Sequence, residues 1–144
     1  MASTTAICTS FKQELMVAEH DFTNSTGDTW QWALYTSTAT NGAGSTNYIT
    51  GNEVANGNGY TTGGDVTAAT TPTTGGTTAY VDFEDPTWTS ASFTAASTML
   101  YNQTHASDAS VAVWDFGGDQ TASGGDFVLQ LPTADQTNAI LRLA

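Results

Sequence analysis

The stretch Trp30-Gln31-Trp32-Ala33-Leu34-Tyr35-Thr36 decides the fold class of this chain. Large apolar residues alternate in it with smaller or polar ones, the period of two that a half-buried β-strand requires. Working outward, similar runs follow at intervals of roughly ten residues, the spacing of a sandwich or barrel. They are Thr78 to Glu84, Thr87 to Ala95, Thr98 to Tyr101, Ser110 to Phe116, Asp126 to Leu131 and Asn138 to Leu143, with a weaker strand near Tyr48-Ile49. At 144 residues the chain amounts to one domain. The expectation is therefore mainly β: a single-domain antiparallel β-sandwich, jelly-roll-like, over 1–144.

Upstream of the first strand the texture changes. Ile7, Cys8, Phe11, Leu15 and Ala18 recur at helical spacing, which predicts one N-terminal α-helix over about 4–19. Thr4 or Thr5 would cap it and His20-Asp21 would close it. Met16 and Val17 fall off that stripe, either as looseness in the pattern or as a second apolar edge for another subunit. His20 reads as a helix C-terminal residue facing the last carbonyls, and His105 as a loop residue.

Between residues 40 and 78 the chain is low in complexity, with Asn-Gly and Gly-Gly breakers. A linker here would cut one core into two unstable pieces, so the stretch is expected to form long Gly/Thr-rich surface loops with an ordered turn at Tyr60. Gly-Gly-Asp occurs at 63–65, 117–119 and 124–126; the irregular spacing argues for turns rather than a repeat.

Charge narrows the function classes. Lys12 and Arg142 are the only Lys or Arg residues against 14 acids, giving a formal net charge of -12. Phosphate neutralisation needs several cations per site, so neither nucleic acid nor an anionic membrane surface is an expected partner. Only 11% of residues are charged while 39% are hydrophobic, which argues for a folded domain rather than an acidic tail. Thr, the commonest residue, favours strands. One cysteine, Cys8, and no basic-then-apolar leader suggest synthesis in a cytoplasm.

Catalytic and metal signals are weak. Asp82, Glu84 and Asp85, and Asp115, Asp119 and Asp126, lack the spacing of a calcium loop, and read as turn formers and solvated strand ends. Asp82 and Glu84 would share one strand face, with Val81 and Phe83 on the other. Cys8, His20 and His105 have no zinc spacing, and no nucleophile elbow or phosphate loop is present. No metal, cofactor or catalytic residue is assigned. Trp30, Trp32, Trp88 and Trp114 read as core, with Trp30 the candidate for exposure beside Gly27-Asp28. Trp30, Tyr48 and Tyr60 are the candidate stacking residues for a sugar.

Ala6-Ile7-Cys8-Thr9-Ser10-Phe11-Lys12-Gln13-Glu14-Leu15, then His20-Asp21-Phe22, Trp32 to Thr40, Asn52-Glu53-Val54, Gly59 to Gly64, the strand of Trp88, Ala112-Val113-Trp114-Asp115-Phe116-Gly117 and Asn138 to Ala144 together resemble a family of small virion structural proteins of tailed bacteriophages and prophages. The resemblance spans nearly the whole chain, through packing and turn signatures rather than catalytic ones. It implies a non-enzymatic virion component, made in the bacterial cytoplasm and placed on the outer surface of the particle, where packaged DNA does not repel it. Partners would be capsid or tail proteins and copies of itself. A capsid decoration or cement protein is the first expectation, a tail fibre-associated or baseplate-associated module the second, and a carbohydrate-binding module for host attachment the third; a small hydrolase trails them. Phe11, Lys12, Leu15 and Met16 of the helix, and Leu141, Arg142 and Leu143 at the other end, are the expected attachment or oligomer surfaces.

Overall fold

A computed structural model describes residues 2–144. The fold is mainly β, a sandwich of antiparallel sheets with one short helix, as expected. Its strands are β1 (Ala6–Ile7), β2 (Trp30–Tyr35), β3 (Asp65–Thr67), β4 (Thr73–Gly75), β5 (Thr78–Val81), β6 (Thr87–Ala91), β7 (Thr94–Asn102), β8 (Ala109–Thr121), β9 (Gly125–Val128) and β10 (Leu141–Leu143); α1 is Thr9–Met16. Five strands form the main sheet in the order β1-β8-β7-β2-β3. A three-stranded sheet, β10-β5-β4, and a two-stranded one, β6-β9, complete the set. One apolar cluster joins Val81, Phe83 and Leu141 of one small sheet's region, Trp88 and Phe127 of the other, and Trp32, Leu34 and Leu100 of the main sheet. All three sheets thus share a core.

Strand β2 forms where the alternation put it, but it is not half-buried. Five of its six residues are buried, Gln31 being the partial exception, and β7 is buried along eight consecutive residues. The pattern is one of size rather than polarity. Trp30, Trp32 and Leu34 face the Phe83 region, with Phe83 5.5 Å from Trp32 and 6.1 Å from Trp30. On the opposite face, Gln31, Tyr35 and Tyr101 meet the low-complexity segment, whose Tyr48 ring stacks on Tyr101 at 4.6 Å. A strand covered on both faces has no need of a polar side.

What orders residues 40–64 is a carboxylate ringed by tyrosines. Glu53 accepts hydrogen bonds from the Tyr48 and Tyr60 hydroxyls and from the Gly63 N–H, each at 2.7 Å. The Tyr60 hydroxyl in turn accepts the Leu34 N–H at 3.0 Å, and Tyr35 donates to the Ile49 carbonyl at 2.8 Å. Tyr60 sits in the expected turn, closed by reciprocal backbone bonds with Gly57. A buried polar network is stable when its members are satisfied, and each oxygen of Glu53 has a partner. The downstream part of the stretch adds two strands, β3 and β4, that the loop reading omitted.

Two further expectations change. The helix covers Thr9–Met16, not 4–19, because the preceding N–H groups have other partners: Thr4 bonds to the Asn41 carbonyl at 2.8 Å, Cys8 to Val111 at 2.9 Å, and Ala6–Ile7 pairs with β8. Thr4 and Thr5 are therefore not caps; Cys8 occupies the N-cap without a side-chain bond to the helix, and the Thr5 hydroxyl accepts the Asp115 N–H instead. Gly117-Gly118-Asp119 is not a turn between strands but a wide bulge within β8, where Ala95 faces Gln120 and Ser97 faces Asp115. Gly117 and Gly118 have φ of 77° and 152°, which L-residues with a Cβ avoid. Val81 and Phe83 are buried, with Glu84 exposed and Asp82 half-buried on the other face, as the alternation predicted.

Candidate functional site

The two ends of the expected attachment surface come together. Phe11 and Leu15 of α1 line one apolar groove with Leu141, Arg142 and Leu143 of β10, above Phe22 and Val81. The groove holds about 90 Å³ and is walled by carbon. Helix and strand reach it for different reasons. Phe11 is buried, in edge contact with Phe22 at 6.1 Å and tilted against His20 at 5.0 Å, which anchors α1. Strand β10 pairs with β5 through Leu141–Val81, Arg142–Tyr80 and Leu143–Ala79, and its other side is a sheet edge.

Around that groove the surface is unusual. Met16 is 88% exposed and Leu143 61% exposed, with Val17 also open. Lys12 lies one helical turn before Met16, so the two occupy neighbouring positions on the exposed side of α1. Lys12 and Arg142 are exposed, and among the described residues neither forms an ion pair, despite 14 acids in the chain. Arg142 is steadied instead by donation to the Thr137 carbonyl. Phe11 and Leu141 are part of the core and support this face from beneath, whereas Leu15 is half-buried in it.

The end of α1 is held by a polar clasp. Ala18 takes φ of 60°, and the Glu19 N–H bonds to Glu14 O while the Ala18 N–H bonds to Leu15 O. This is a Schellman ending with alanine in the position that favours glycine. His20 turns inward rather than to the helix carbonyls: its Nε2 is 2.8 Å from Glu14 Oε2 and its Nδ1 2.9 Å from Asn102 Nδ2. Asn102 Oδ1 accepts the Thr104 and His105 N–H groups, which fixes its amide so that Nδ2 is the donor to His20. Nδ1 of His20 is then the acceptor and Nε2–H donates to Glu14. His105, in the β7–β8 loop, stacks on His20 at 5.8 Å and meets Glu19 at 3.0 Å. The chain's histidines tie the exposed helix end to the main sheet.

The sugar-stacking candidates lie elsewhere. Trp30 is 1% exposed; Phe22 stacks on it at 4.1 Å and 3°, closing the opening expected beside Gly27-Asp28. Tyr60 is buried at the Glu53 network, and Tyr48 is half-buried against Tyr101. Neither Trp30 nor Tyr60 offers a ring face to a ligand. Trp114, read with Trp32 and Trp88 as core, is only half-buried. Among the described residues no three His, Cys, Asp or Glu side chains converge as a metal-holding group, and no helix is long and apolar enough to cross a membrane.

No protein-family model matches the chain, and neither a curated protein nor a solved structure does.

Proposed function

We propose that this protein is a non-enzymatic structural component of a tailed-phage virion, a decoration or cement protein that sits on the outer face of the capsid shell. The observation that carries the reading is a groove walled by α1 and β10: Leu143 and Arg142 line it, and the helix that lines it through Phe11 and Leu15 also carries the exposed Met16 and Lys12, so exposed apolar side chains and the chain's only Lys and Arg lie on the two elements that form it. Burying an exposed Met or Leu stabilises an interface by about 2 kcal/mol. An unpaired cation beside each adds orientation, since the partner must present a carboxylate there. Contacts of this size are weak singly and hold when repeated on a symmetric lattice. The net charge of -12 favours the outside of a particle over the DNA-filled interior.

Cryo-electron microscopy of intact particles tests the reading. Density on the shell, with α1 and β10 toward the capsid lattice and hundreds of copies per particle by quantitative mass spectrometry, is the expected result. Absence from the shell overturns it, and a handful of copies confined to the tail assigns the chain to the tail instead. Met16→Asp with Leu143→Asp should release the protein from particles without unfolding it, because both side chains are exposed.

A further inference from the structure

A second cavity, larger than the groove at α1, lies elsewhere in the fold. It holds about 580 Å³, within the range of small-ligand sites, and opens between the main sheet, β9 and the segment that follows β9. It shares no residue with the helix-strand groove. Its wall is apolar, with an aromatic side formed by Trp32, Trp114, Phe116 and Phe127 and an aliphatic side that includes Leu129 and Ile140. Trp114 is half-buried and stacks on the buried Trp32 at 5.3 Å and 29°. Trp32 is locked from behind by donation of Nε1–H to the Thr67 hydroxyl at 2.9 Å. Phe116 continues the wall, 6.4 Å from Phe127. A ring backed by a fixed ring loses little freedom when a ligand stacks on it.

The rim is polar and carries no cation. Gln120, Gln130 and Asp126 are exposed on it. Gln120 reaches that position through the Gly117–Gly118 bulge, which inserts extra residues into β8 between Asp115 and Gln120. Bulges of this kind redirect side chains beside sites. Two neutral amides and one carboxylate can each bond vicinal hydroxyls, as donor, acceptor or both. With no positive group in the lining and -12 on the chain, phosphates, sulfates and carboxylates are repelled. A fully apolar ligand would leave the amide and carboxylate edges unused.

We infer that this cavity binds a neutral saccharide, one pyranose ring stacked on Trp114 with its hydroxyls held by Gln120, Gln130 and Asp126. The inference is independent of capsid attachment and stands whether the protein lies on the shell or the tail.

The test is intrinsic tryptophan fluorescence and calorimetry on the full chain, against a panel of neutral gluco-, manno-, galacto- and N-acetylglucosamine-based tetrasaccharides with sialylated counterparts. At least one neutral member should bind saturably, with a change in emission, and its sialylated counterpart at least tenfold more weakly. Trp114→Ala should weaken that binding at least tenfold. Gln120→Ala and Gln130→Ala, at exposed positions that leave the melting temperature unchanged, should each weaken it at least threefold. No saturable binding to any neutral member at millimolar concentration overturns the inference. So does binding that survives both glutamine substitutions, or equal affinity for the sialylated counterpart. A dimer that dissociates on Trp114→Ala without any glycan binding would assign the cavity to a second copy and also overturn it.

Discussion

The Tyr60 hydroxyl stands between two groups that cannot reach each other, donating to Glu53 Oε1 at 2.7 Å while accepting the Leu34 N–H at 3.0 Å. Tyr48 makes only one comparable bond, to Glu53 Oε2. Tyr60→Phe should therefore destabilise the fold by about 2–3 kcal/mol, since it orphans the buried Leu34 N–H and leaves Glu53 Oε1 with the Gly63 N–H alone, and Tyr48→Phe, which unpairs the part-buried Oε2, by about half as much. Urea denaturation measures both. Equal costs would mean that the Leu34 bond contributes nothing.

The same network sets an alkaline limit. Desolvation, with Glu53 adding to it, pushes the Tyr35, Tyr48 and Tyr60 hydroxyls well above the ordinary phenol range, and desolvation beside Tyr48 does the same for Tyr101. The folded state then holds these protons more tightly than the unfolded chain. Stability from the four groups is complete below about pH 10, the unfolded value, and falls as pH rises toward the folded values. Tyrosinate absorbance at these residues should rise together with loss of circular dichroism, in one cooperative step. Four tyrosines ionising near pH 10 with the fold intact would contradict this.

Ala18 marks a site for stabilisation. Its φ of 60° closes α1 in the left-handed region, where a Cβ costs about 1 kcal/mol. Ala18→Gly should raise the unfolding free energy by roughly that amount, measured by thermal or urea unfolding. A loss of stability would show that the backbone entropy of glycine outweighs the relief.

Cys8 should be silent toward thiol reagents. It is fully buried at the start of α1, its Sγ facing the Gly42 carbonyl at 3.8 Å, and burial pushes its thiol above the ordinary range. The thiolate is the reactive form, so the native protein should react with Ellman's reagent only as fast as it unfolds, and completely in denaturant. Rapid reaction in native buffer would contradict the burial.

The sheet-forming residues were legible because alternation is a property of neighbours: Trp30 to Tyr35 and Ser110 to Phe116 announce strands wherever they are placed. Strands β3 and β4 were not. Asp65-Val66-Thr67 pairs with Trp30 to Trp32, and Thr73-Thr74-Gly75 with Thr78 to Tyr80, in partnerships that Thr and Gly accept without signalling them. The helix was overextended because Ile7 fits a helical stripe, yet Ala6 and Ile7 pair with β8 instead. At the candidate site, Phe11, Leu15 and Leu141 to Leu143 were readable as apolar residues, but their meeting in one groove is a tertiary fact. The aromatic cavity was hidden because Trp114 in a strand looks identical whether it is sealed in or left half open. Trp30 misled in the opposite sense: Phe22, eight positions away, covers it face to face.

Lys12 is the chain's sole side-chain amine, and it stands exposed on α1 one turn from Met16. An acylating reagent therefore acquires an address. A bifunctional succinimidyl ester applied to assembled particles can bridge this side chain only to an amine within the linker's span of α1, so a cross-linked peptide that contains Lys12 names the neighbour and bounds its distance together.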